Sequence, residues 1–274
     1  MINRLKYATI SDIGIYQLIF FDNQKSSELA NFCDINGISY LPAKDRKSIY
    51  KLTKDGFKKE VLTEQICVNP YDRIFEENTL KKFERLNHNE VFFITENETI
   101  RGVVHIVDYN SEFIQVELYR ALFRFESNLR YLLVKSGLNN ADFIVWVKGK
   151  AENEKDKNSQ KHWLQRLEDI LPSENVKLKK VEEKRNELNP FQSFYLLELM
   201  RFACDERLID KRIVNFDKIS KLRNQIAHSI DLTTQSTEEG RPIYNYKKLK
   251  IYIDHINAFF TAYDFLQYQI ENIT

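Results

Sequence analysis

Lys221-Leu222-Arg223-Asn224-Gln225-Ile226-Ala227-His228 is the stretch on which the reading of this chain turns. It puts a cation, an amide and a titratable imidazole within six residues. The apolar positions Ile219, Leu222, Ile226 and Ile230 recur at threes and fours, so residues 217–229 are predicted to form an amphipathic helix. At roughly 100° per residue, Asn224 and His228 lie one above the other on the face opposite that stripe. By the same count Arg223 lies about 140° from His228, nearer the edge of the stripe. Such a set can grip a phosphate and move a proton, because a guanidinium matches oxyanion geometry and an imidazole titrates near neutral pH. A plainer role is open to each residue: Arg223 and Asn224 as helix surface, and His228 as a favourable charge near a helix C-terminus.

Working outward, helical periods dominate the C-terminal half. Ile114, Leu118, Leu122, Phe125, Leu129 and Leu132 predict a helix over 112–135, stopped by Ser136-Gly137. Phe143-Ile144-Val145-Trp146-Val147 is apolar throughout, and its period does not separate strand from helix. Residues 150–171 are strongly charged, with Trp163, Leu164 and Leu167 to pack, and predict a mostly solvated helix. The charge run 177–188 reads as a flexible connector. Residues 191–204 predict an apolar helix opened by Asn189-Pro190. Residues 233–241 have the composition of a loop, and 246–270 predict a long closing helix. Only 7 glycines and 5 prolines suit a largely helical chain.

Four main helices with an Arg-Asn-x3-His segment on the penultimate one resemble the HEPN superfamily of helical domains. In a chain of this composition an Arg five places before a His arises by chance roughly 0.3 times. The resemblance therefore rests also on Asn224, on the apolar stripe, and on the segment's place between two long apolar helices. It implies an all-α helical bundle over 111–274 and a homodimer in which two such helices meet across a twofold axis, bringing Arg223 and His228 together in a composite site. It also implies a metal-independent endoribonuclease that needs no cofactor. RNA carries its own nucleophile, the 2′-hydroxyl. His228 would serve as general acid or base, Arg223 would offset charge on the phosphorane, and Asn224 would orient the imidazole or a phosphate oxygen. The products would carry 2′,3′-cyclic phosphate and 5′-hydroxyl ends. Other HEPN members only bind or dimerise, so a catalytically inactive binding or antitoxin-like module is the alternative. Phe123-Arg124-Phe125-Glu126-Ser127-Asn128-Leu129-Arg130 resembles a stretch of HEPN proteins of phage-defence type. Glu126 and Arg130, four apart, form either a surface ion pair or a support in which Glu126 holds Arg223.

The first 110 residues alternate between strand and helix signals. A helix over 26–34 precedes strands at 35–42 and 47–52; a helix over 78–86 precedes strands at 90–94 and 100–107, with Glu96-Asn97-Glu98 as the turn. The unit recurs after about 50 residues and reads as two copies of one supersecondary motif. With Gly102-Val103-Val104-His105-Ile106-Val107-Asp108 in the second copy, it resembles a CBS-domain pair over roughly 8–110. The resemblance implies a regulatory module taking an adenine nucleotide at Gly102, His105 and Asp108. His105 departs from the family's usual hydroxyl, and in the first copy Ser48 replaces the Gly. Asp108 has a second role open to it, as the cap of the following helix. The expected fold is thus an α+β CBS-like pair over 1–110 followed by the helical domain over 111–274, a ribonuclease under ligand control in phage defence or stress response.

Composition excludes several other classes. With 41 basic against 40 acidic residues the net charge is +1, which gives no global nucleic-acid face; RNA must be met in a local cleft, and DNA is not expected. Cys33, Cys67 and Cys204 are odd in number and far apart, which suits neither a disulfide framework nor a zinc site. No signal-type apolar region follows Met1, and no apolar run approaches the ~18 residues of a membrane span, so a cytoplasmic protein is expected. His88 lies in the CBS-like half, His162 and His255 sit on helices without carboxylate or Cys partners at ligand spacing, and there is no Gly-rich phosphate loop, Gly-x-Ser-x-Gly or His-Glu-x-x-His.

Overall fold

The computed structural model describes residues 2–84, 91–171, 176–228, 230–231, 233–238, 241–244 and 246–273. The N-terminal part carries two three-stranded sheets, and the C-terminal half is mostly helical. By contacts the chain forms two compact units, Met1–Arg120 with Asn224–His255, and Ala121–Arg223 with Ile256–Thr274. The unit that holds both sheets therefore extends past residue 110 and takes in a later pass of the chain.

In that first unit, α1 (Ile2–Lys6) and α2 (Ile10–Ile13) are short turns that bury Leu5 and Ile10. Helix α3 (Ser26–Asn36) stops where Gly37 enters the left-handed region at φ +66°, letting the Ile38 N–H donate to the Cys33 carbonyl at 2.8 Å. Strands β1 (Tyr40–Pro42), β2 (Ser48–Thr53) and β3 (Gly56–Val61) follow as an antiparallel meander. The sequence reading found the first two strands and missed β3. Its Lys58-Lys59-Glu60 core carries no apolar alternation, and only Gly56, at φ +100°, marks the turn into it.

The second sheet begins with β4 (Cys67–Val68), which α4 (Glu77–Phe83) connects to the parallel β5 (Phe92–Glu96); β6 (Thr99–Val104) returns antiparallel. The predicted turn is there, with Asn97 and Glu98 both left-handed as a tight hairpin requires. The ends of the expected helix and strand, at 85–86 and Glu90, lie outside the described residues, as does His88. Ile49 from the first sheet packs with Phe93 and Ile100 from the second, all fully buried. Phe83 fixes α4 against Phe92 and Tyr109 edge to face, with centroids 5.2 and 5.4 Å apart, and the Tyr109 hydroxyl donates to the Ile74 carbonyl at 2.7 Å.

Helix α5 (Glu112–Lys135) has the predicted bounds. The undecided run 143–147 is helical, inside α6 (Asn140–Asn153), whose start is fixed by Asn139 accepting from the N–H groups of Ala141 and Asp142. The single helix expected over 150–171 is instead the end of α6 and a separate α7 (Lys157–Ile170). The break comes at Glu154, and Asp156 caps the new helix by accepting the Ser159 N–H at 2.7 Å. The connector expected at 177–188 is a helix, α8 (Val176–Leu188); its Lys and Glu residues are good helix formers whatever their charge. The next helix, α9 (Leu196–Asp205), starts later than Asn189-Pro190 suggested, because residues 189–193 form a turn in which Phe191 sits at φ +62°.

The helical unit is built on aromatic packing. Phe143 stacks on Phe194 at 3.9 Å, Trp146 meets Trp163 edge to face at 5.5 Å, and Phe125 meets Phe259 at 5.6 Å. One ion pair is sealed inside it: the Arg166 guanidinium makes a two-pronged contact with the Glu198 carboxylate at 2.6 and 2.9 Å and also donates to the Ser193 carbonyl at 3.0 Å. Both side chains are less than a tenth exposed.

Helix α10 (Phe216–Ala227) carries the segment that opened the sequence reading. The chain then re-enters the first unit. Where a loop was expected it forms a hairpin, β7 (Thr234–Glu238) and β8 (Arg241–Tyr244), before α11 (Tyr246–Asn272). Polar strands with a proline in β8 carry no alternating apolar signal, so composition alone read them as loop. Among the described residues no helix is long and apolar enough to cross a membrane.

Candidate functional site

Helix α10 is set by its two ends and one face. Asn215 accepts the Lys218 N–H at 3.1 Å and caps the start. Ile219, Leu222 and Ile226 are buried, which anchors the apolar side. Ile230, the fourth residue of the predicted stripe, lies beyond the helix and is exposed. Arg223, near the edge of that stripe, and Asn224 and His228, on the opposite face, are all exposed. The helix closes with the His228 N–H donating to the Asn224 carbonyl at 3.1 Å, so these two side chains stand one turn apart on one face. The neighbouring Gln225 carboxamide oxygen lies 3.4 Å from Nδ1 of the mostly buried His255, which ties α11 to this segment. The sequence reading gave His255 no partner, since 30 residues separate the pair.

The Glu126–Arg130 pair on α5 is formed, and both side chains are partly buried. Arg130 also donates from Nε to the Phe191 carbonyl at 3.2 Å, which holds the left-handed residue of the 189–193 turn. Within the helical unit this gives Arg130 a supporting role that the i, i+4 spacing could not reveal.

Gly102, His105 and Asp108 lie together at the end of β6. Ile15 and Val103 exchange both backbone hydrogen bonds, at 2.8 and 2.9 Å, so residues 14–16 run tight against the strand. A Cβ on Gly102 would come within 2.7 Å of the Ile15 carbonyl oxygen, and this close approach explains the glycine. After β6 a short 3-10 helix, Ile106–Asn110, is capped reciprocally. Nδ1 of His105 accepts the Val107 N–H at 3.2 Å, while the Asp108 carboxylate accepts the His105 N–H at 2.7 Å. His105, not Asp108, is thus the cap, and Asp108 is its partner three residues on. Burial pushes the Asp108 carboxyl up to about 6, against the lowering effect of the His105 N–H.

A cavity of about 540 Å³ opens beside this cap, lined by residues of both sheets, by 35–39 at and just past the end of α3, and by His105 and Tyr244. The Tyr244 ring meets the His105 ring edge-on at 4.8 Å. Tyr244 was missed because it falls between the loop read over 233–241 and the helix read from 246, at the end of a strand with no alternating apolar signal. The helical unit has a shallower opening of about 580 Å³ whose walls include Lys150, His162, Arg201 and Lys211. Lys150 there is paired with Asp205 at 2.7 Å. Among the described residues no three of His, Cys, Asp or Glu gather at metal-binding distance.

No family model, curated protein or solved structure matches the chain.

Proposed function

We propose that the protein is a metal-independent endoribonuclease of HEPN type, whose sheet-bearing part resembles a CBS pair and acts as its ligand-responsive regulator. The observation that carries this reading is the exposed face of α10, where Asn224 and His228 stand one turn apart opposite a buried apolar stripe. An exposed imidazole can reach a bound substrate and serve as general acid or base. In the proposed reaction the 2′-hydroxyl of RNA attacks the adjacent phosphorus, His228 moves the proton, and the 5′-oxygen leaves. Arg223, the residue before Asn224, offsets the added negative charge. Because Arg223 and His228 diverge by about 140° on one helix, the site is completed by a second copy, Arg223 of one facing His228 of the other. That same divergence favours one rival reading. A chain that stays monomeric would be a binding module that responds to an adenine nucleotide without cutting.

The test is incubation of the purified full chain with labelled single-stranded RNA in EDTA, beside His228→Ala. The reading expects fragments with 2′,3′-cyclic phosphate ends from the wild type and none from a folded variant. Equal cleavage by both, or fragments with 3′-hydroxyl ends, would overturn it.

A further inference from the structure

Helix α5 turns one apolar face to the core and leaves a second in water. Tyr119, Phe123, Tyr131 and Val134 on that second face are 60%, 63%, 53% and 44% exposed. At roughly 100° per residue, Tyr119, Phe123 and Val134 fall within an arc of about 60°. Arg120, Arg124 and Lys135 occupy the adjoining arc, also about 60° wide, with Tyr131 among them. All three cations are exposed. The helix therefore presents a row of large, mostly aromatic side chains with a row of cations along one flank.

The acids of the same stretch do not balance that charge at the surface. Glu117 is buried and accepts from Arg4 at 3.3 Å and Arg120 at 3.0 Å, and Glu126 is partly buried against Arg130. Residues 113–135 thus present three exposed cations and no exposed carboxylate, in a chain whose 41 basic and 40 acidic residues nearly cancel. A second copy of the chain suits such a face poorly, because it would set rows of like charge close together. A polyanion that carries flat apolar groups suits both rows. Along the axis Tyr119 and Phe123 stand about 6 Å apart, close to twice the roughly 3.4 Å step of a duplex strand. A strand must be unstacked to lay one base on each ring, which a single strand can do and a duplex cannot.

We propose that this face of α5 binds single-stranded RNA, with bases on the aromatic row and phosphates on the cationic flank. Phe123 and Arg124, adjacent in sequence, divide the work into a stacking platform and a phosphate contact. This inference rests on the ribonuclease reading for the choice of RNA, and deepens it by naming where the substrate is held. Its test reads binding, so the two can fail separately.

The experiment is fluorescence anisotropy of the full chain with a labelled single strand of RNA methylated at every 2′-hydroxyl, which lacks the internal nucleophile. Neither a stacked base nor a phosphate contact needs that hydroxyl. The single strand is expected to bind at least about tenfold more tightly than the same strand annealed to its complement. Phe123→Ala should weaken binding about fivefold or more. Arg124→Ala should also lower, by about one, the slope of log affinity against log salt, which Phe123→Ala leaves unchanged. Both side chains are exposed, so the urea unfolding midpoint should not move. No binding of the single strand, a duplex bound as tightly, or variants that bind like the wild type would overturn the proposal. So would a Phe123→Ala variant that instead splits a dimer in sedimentation, which would give the face to a second copy. Binding that depends on Phe123 and Arg124 in a protein that cuts no unmodified RNA would leave this surface standing and count against the ribonuclease reading instead.

Discussion

Two histidines in the first compact unit show opposite uses of the same side chain. His105 is half-buried and is built into the fold: its ring accepts the Val107 N–H, its own N–H is held by Asp108, and its face packs on Tyr244. His228 is exposed at the end of α10, on a face that carries no core residue. The first is explained by capping before any ligand is invoked; the second contributes little to burial, so its chemistry must be sought in what it meets outside the chain. The comparison teaches that a motif residue carries functional weight in proportion to how little of it the fold consumes.

The sharpest way to break that comparison is to remove each ring in turn. His228→Ala should lower RNA cleavage by about a hundredfold or more, as loss of a general acid or base does, with the urea unfolding midpoint unchanged. A shifted midpoint would mean that the fold does depend on His228. Cutting into the packed helical unit should do the reverse. Glu198→Ala leaves the Arg166 guanidinium buried without its carboxylate and should cost about 3 kcal/mol in urea unfolding; a loss well under 1 kcal/mol would show water reaching that pair. Gly102→Ala drives a methyl toward the Ile15 carbonyl and should cost about 1–3 kcal/mol. An unchanged midpoint there would remove the packing explanation of the glycine.

The smallest effect concerns His105 and its partner. Asp108 titrates near 6 when folded, above an ordinary carboxyl, because burial opposes its charge. The folded protein therefore binds this proton more tightly than the unfolded chain does. The stability this group adds is fully present below the unfolded pKa near 4 and is lost as pH rises through about 6. Asp108→Asn should flatten the pH dependence of unfolding between pH 4 and 6, and gain about 1 kcal/mol at pH 7 after allowance for the side chain's partial exposure. A wild-type protein that grows steadily more stable from pH 4 to 7, with the variant following it, would contradict the assignment.

Much of the architecture was legible because it follows from strong local signals. The apolar spacing from Ile114 to Leu132 and the terminator at Gly137 fixed α5, and the Glu96-Asn97-Glu98 turn fixed the β5–β6 hairpin. What escaped was set by weak or distant terms. Strands β3, β7 and β8 are polar, so pairing rather than alternation defines them. Helix α8 looked like a connector because its charges concealed its propensity. The start of α9 was displaced by a left-handed Phe191 that no local rule requires. Of the candidate residues, Asn224 and His228 were readable from helical spacing, whereas the cavity was not, because Tyr244 and residues 35–39 reach it from segments some 200 residues apart.

The most direct measurement of the central claim is cleavage in EDTA of one labelled RNA and of the same sequence with every 2′-hydroxyl methylated. The account predicts that wild-type protein cuts the first and leaves the second intact, since the attacking oxygen belongs to the substrate. Equal cutting of both would contradict it, because the nucleophile would then have to come from elsewhere.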